Sequence, residues 1–250
     1  MRMPFVHGVM DRRILVNYHV DPDVLGSLLP APFRPKIVRG FAMVGICLIR
    51  LRHLRPIGLP WWFGISSENA AHRAAVEWEE HGTVREGVYV WRRDTSSRLH
   101  CLAGGRVFPG IHHHARFVVR ETADQYSVVL CSDDGETRLT VRARLTNRLP
   151  SSSVFESSAE ASAFFQGGSV GYSATSDSSR FHGVELHCFH WAVEPLEVEE
   201  VRSSFFENES LFPRGSIGFD CALLMRGIEH AWHARSDLCC SEAAPVGAGA

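Results

Sequence analysis

The chain has 250 residues, 45% of them hydrophobic and 22% charged, with 28 acidic against 26 basic side chains and a formal charge of −2. Such a balance belongs to a globular protein and excludes long disordered or collagen-like stretches. It also gives no long-range attraction to polyanions, so nucleic acid and anionic membranes are not expected partners and small molecules are. Seven cysteines, an odd number, follow no apolar leader, which predicts a reduced, cytoplasmic protein. No apolar run approaches the length of a membrane-spanning helix.

In chain order, Ile14–Val20 reads as a strand that hands over to a short helix at Asp21-Pro22, a cap followed by proline at the first helical position. Pro30-Ala31-Pro32 stops that helix. Lys36–Leu54, broken by Gly40 and Gly45, reads as a strongly bent strand or a strand pair. Lys36 is the single lysine, placed at a loop-to-strand junction read as exposed, so amine chemistry has one candidate. Trp61-Trp62-Phe63 is expected to fill core.

Ser66–Glu80 admits two readings, a helix from its alanines and glutamates or a strand from its alternation. As a strand it puts Glu68, Ala70, His72, Ala74, Val76 and Trp78 on one mostly apolar face. Three strands, His113–Glu121, Gln125–Ser132 and Thr137–Leu145, then form a meander with its last turn at Asp133-Asp134-Gly135. A helix follows over Ser158–Phe165, closed by Gly167-Gly168. Strands resume at Ser169–Thr175, Phe181–Trp191 and Leu196–Ser203, and Phe205–Met225 mixes loop and strand. Residues 1–241 read as one domain and 242–250 as a disordered tail.

Arg85–Arg116 concentrates the chemistry, with apolar Val88-Tyr89-Val90-Trp91 directly before Arg92-Arg93, as expected of a strand entering a cavity. Strict alternation puts Arg92 on the side of Val88 and Val90, and Arg93 on the side of Tyr89 and Trp91. An inward Arg92 would grip a carboxylate, phosphate or enolate; otherwise it forms an ion pair, for instance with Asp94 or Glu86. His112 and His114 share one strand face roughly 7 Å apart and need a third ligand from His187, His190, His230 or His233 to hold a metal. No dinucleotide fingerprint, phosphate loop or serine elbow is present, and no cofactor or metal is assigned.

Asn17 to Phe33, Gly45-Ile46-Cys47-Leu48, Ser67 to Ala71, Arg92 to Thr95 and Gly104-Gly105-Arg106 together resemble the YqjF-like bacterial domain of unknown function, across nearly the whole chain. That family is placed in the acetoacetate decarboxylase-like superfamily. The resemblance implies a mainly β (α+β) fold, an antiparallel barrel or cone with a few short peripheral helices. It also puts Trp91-Arg92-Arg93 where the decarboxylase keeps its catalytic lysine pair, so the nucleophile is missing. Glu68 resembles a site glutamate. The resulting expectation is a small anionic organic ligand, a carboxylate or keto acid, handled without Schiff-base chemistry. Arg92 and Glu68 would be the catalytic groups, with Arg93, Tyr89 and His113 binding substrate; a homo-oligomer fits this reading. The alternatives are a metal-dependent hydrolase or lyase and a non-catalytic binding or scaffold domain.

Overall fold

The computed structural model describes residues 6–105, 108–177 and 179–239; the tail expected at 242–250 lies outside them. The elements in order are β1 (Val6–Val20), α1 (Pro22–Leu28), β2 (Arg34–Pro35), β3 (Ile37–Val38), β4 (Phe41–Pro56), β5 (Ile65–Glu80), β6 (Thr83–Thr95) and α2 (Arg98–Ala103). They continue with β7 (His112–Glu121), β8 (Gln125–Ser132), β9 (Arg138–Leu145), α3 (Ser158–Gln166), β10 (Val170–Ala174), β11 (Arg180–Cys188), β12 (Glu194–Ser203), β13 (Ile217–Ala234) and β14 (Leu238–Cys239). The fold is mainly β, as the sequence leads one to expect.

Local chemistry explains the joints. Asp21 caps α1 by accepting from the Asp23 amide at 2.8 Å, with Pro22 starting the helix. Arg39 and Gly40, both at positive φ, turn the β3–β4 hairpin. Ser157 caps α3 through the Glu160 amide. Ser66–Glu80 lies within the strand β5 and not in a helix; its Ala70, Ala74, Val76 and Trp78 face the main core. Trp61-Trp62-Phe63 does not fill core. It forms a 3-10 turn between β4 and β5 whose three residues are 61–66% exposed, their rings meeting one another and His53 and not the core.

The fourteen strands among the described residues belong to one sheet, which is mixed and not wholly antiparallel: β6 runs parallel to β7 and to β10. Two strands fork. β6 pairs with β10 through Val88–Val90 and with β7 through Arg93–Thr95. β13 pairs with β12 at Ala222–Leu224 and with β11 at His230–Ala234. The sheet therefore closes twice. One ring runs β6-β7-β8-β9-β12-β13-β1-β4-β5 and the other β6-β10-β11-β13-β1-β4-β5, with β13, β1, β4, β5 and β6 as a shared wall.

A wall between two rings is dry on both faces, which is why β1 is buried almost continuously from Arg12 to Tyr18. On one face Ile14, Val16, Ile46 and Leu48 join Val128, Leu130, Val141 and Leu224 in the main core, which fills the larger ring. On the other, Leu15, Cys47 and Ala75 meet Phe165 of α3. The smaller ring is not filled.

Candidate functional site

Inside the smaller ring is a cavity of about 120 Å³, lined from the shared wall by Arg13, Cys47, Arg73, Arg93 and Trp232 and from across the ring by Val184 and Leu186. By volume alone it has room for several waters or one small organic molecule. A recess of about 60 Å³ continues it past Arg93 to His100 and His112. A narrower one of about 30 Å³ continues it past Arg13 and Arg73 to Lys36.

Three arginines line this cavity, and among the described residues no carboxylate lies within ion-pair distance of any of them. Arg13 donates from Nε to Cys47 Sγ at 3.1 Å and stacks over Trp191, 5.7 Å from its centroid. Arg73 donates from Nη2 to Asn17 Oδ1 at 2.8 Å and lies over the Phe165 ring, while its buried Nε has no partner among the described residues. Arg93 donates from Nε and Nη2 to Ser173 Oγ at 3.1 and 2.9 Å. None of these partners is a carboxylate. Desolvation brings the pKa of both Arg73 and Arg93 down to about 10, far above neutrality, so the cations persist. A buried guanidinium without an anion is costly, and an anionic ligand removes that cost.

Hydrogen-bonding groups stand nearby without charge. Burial, then Arg93, lowers the His112 pKa to about 3, and its Nδ1 is buried without a partner among the described residues. Burial likewise lowers His100, whose Nδ1 is 3.4 Å from Ser67 Oγ. Neutral imidazoles offer hydrogen bonds here and add no fourth or fifth cation.

The family model described as an uncharacterized conserved protein matches residues 9–224. The chain belongs to the DUF2071 family. A search of curated proteins gives no match. Among solved structures, this DUF2071 chain is similar to the acetoacetate decarboxylase of Legionella pneumophila (12% identity, 94% of this chain and 88% of that one, TM-score 0.58). It is also similar to an acetoacetate decarboxylase-like enzyme from Sphingomonas wittichii RW1 (10% identity, 96% and 93%, TM-score 0.58). A third is the enduracididine biosynthesis enzyme MppR complexed with pyruvate (9% identity, 98% and 93%, TM-score 0.59). At these identities the likeness establishes the acetoacetate decarboxylase-like fold.

Of the five residues singled out in the sequence of this DUF2071 chain, the structure places Arg93 at the cavity and the other four elsewhere. The reason is a β-bulge. The β5–β6 register steps from His72–Arg92 to Arg73–Val90, leaving Trp91 as the extra residue. Beyond it the alternation inverts, so that Arg93 and not Arg92 shares the cavity side with Val88 and Val90. Arg92 turns to the larger ring, where it binds Asp94 at 2.9–3.2 Å and Asp134 at 2.7–2.9 Å, which is the ion-pair alternative. His113 joins it there through Asp134 at 3.0 Å.

Tyr89 is buried in the main core, its ring 5.3 Å from that of Phe33 and 5.8 Å from that of Phe181. Glu68 does face the larger ring, as its strand parity implies, but at the far end of β5. Its oxygens accept from Arg12 at 2.5 Å and Arg50 at 2.6 Å, in a network that includes Glu121 and Asp11. Lys36 is not exposed: its side chain is 17% accessible, ion-paired to Glu86 at 2.6 Å and held 4.5 Å above Phe164.

The histidines disperse. His114 bonds Asp133, His187 stacks on His233, and among the described residues no three His, Cys, Asp or Glu side chains gather as metal ligands. Sequence reasoning passed over Arg13 and Arg73. The available signal was their setting, a charge between apolar neighbours in strands whose second face also carries small or apolar residues: Leu15 after Arg13, and Ala71 and Ala75 around Arg73.

Proposed function

We propose that the protein binds a small carboxylate or keto acid in the cavity of the smaller ring, with Arg93, Arg73 and Arg13 as the anion grip and without Schiff-base lysine chemistry. The observation that carries this reading is the set of three guanidiniums lining one cavity with no carboxylate partner among the described residues. A guanidinium presents several donors in a fixed fork and suits a carboxylate better than a point charge does. The similar MppR structure complexed with pyruvate supports a keto acid of this size. Lys36, held by Glu86 beyond the narrower recess, is unsuited to attack on a ligand gripped at Arg93.

Titration calorimetry with pyruvate as probe tests the assignment. Removing one charge-assisted hydrogen-bond donor from an anion site costs about 1.5–3 kcal/mol, so Arg93→Gln should weaken binding by roughly tenfold to a hundredfold. Arg93→Lys should recover part of the loss. Unchanged affinity in Arg93→Gln would overturn the assignment.

A further inference from the structure

The three cations are not clustered at one point. Arg73 and Arg93 are diagonal neighbours across β5 and β6, since Ala71 pairs with Arg93 and Val90 with Arg73. Their side chains nevertheless run in opposite directions. Arg73 reaches past β4, where Gly45 stands between it and β1 in the ladder, to Asn17 on β1. Arg93 leans the other way and reaches Ser173 on β10. In the ring order β10-β6-β5-β4-β1 the two anchors stand four strand positions apart.

Arg13, on β1, belongs to the Arg73 end: the two line the narrower recess together, whereas Arg93 alone of the three lines the recess with His100 and His112. Beside these arginines the cavity wall is mostly apolar, with Ile49, Ala71, Val88, Val90, Val184 and Leu186. The arrangement is cation, apolar span, cation.

We infer that the ligand is a short-chain dicarboxylate, with one carboxylate at Arg93 and the other at Arg73 and Arg13, its carbon chain against the apolar span. This rests on the anion-binding reading above and deepens it. A monocarboxylate would occupy one end and leave a desolvated guanidinium at the other, so the second carboxylate contributes where the first cannot reach. Ala71, Val88, Val90, Val184 and Leu186 offer no side-chain hydrogen bond and favour methylene groups.

The experiment is calorimetric titration of the full chain with butyrate, succinate, glutarate and sulfate at one pH and ionic strength, repeated on Arg93→Gln. Succinate or glutarate should bind at least tenfold tighter than butyrate, and Arg93→Gln should bring that dicarboxylate down to the butyrate level. Sulfate, a compact dianion, should do no better than butyrate, because its charges cannot span the two ends. Butyrate or sulfate binding as tightly as both dicarboxylates overturns the two-ended site while leaving a single-ended anion site standing. Failure of pyruvate, butyrate and both dicarboxylates to bind overturns the anion-binding reading itself. If Arg93→Gln does not fold, the comparison on the unmodified protein still decides.

Discussion

Arg92 and Arg93 are adjacent and chemically identical, yet one is structural and the other faces the cavity. Arg92 neutralises Asp94, a fully buried carboxylate that burial pushes up in pKa while its arginine partner opposes the shift. Truncating Arg92 would leave that carboxylate dry and unpaired, so Arg92→Ala should destabilise the fold by about 3 kcal/mol. Urea unfolding measures this as a lowered midpoint, and pyruvate affinity of the folded variant should stay at the wild-type level. At this scale the sequence was half legible. The arginine pair was visible, but which member faces the cavity depends on one extra residue, Trp91, and no periodicity in the sequence marks a bulge.

At the scale of the element, the strands, the capped helices and the meander were legible, because turn chemistry and alternation are local. The second use of the wall strands was not. Arg73 on β5 reads as a solvent residue until a second ring covers that face. Gly45 on β4 is the counterpart: a Cβ there would meet the Val16 carbonyl at 2.3 Å and Asn17 Oδ1, the acceptor of Arg73, at 3.2 Å. Gly45→Ala should therefore push β4 away from β1 and cost about 1–3 kcal/mol as an overpacking defect. Thermal unfolding would show the loss, and pyruvate affinity should fall as Arg73 loses its route to Asn17.

The interior keeps several of its buried histidines neutral. Burial holds His72 and His112 near a pKa of about 3 and His230 near about 4, against roughly 6.5 in an unfolded chain. The folded state thus binds fewer protons than the unfolded one below pH 6.5, and acidification favours unfolding. Each histidine should contribute a loss of roughly 1.4 kcal/mol one pH unit below its unfolded value. Denaturant titrations at pH 7.5 and 5.5 should differ by about 4 kcal/mol, three such contributions; equal stability at both would mean that these imidazoles are not held neutral.

The bulge at Trp91 also bears on how such a chain could change its function over time. Deleting that one residue would restore plain alternation in β6 without exchanging the two arginines, because Val90 would stay opposite Arg73, Arg92 opposite His72 and Arg93 opposite Ala71. The bulge thus absorbs one residue while Arg93 keeps the cavity side. Elsewhere in the strand a one-residue slip would turn a binding residue away from its ligand.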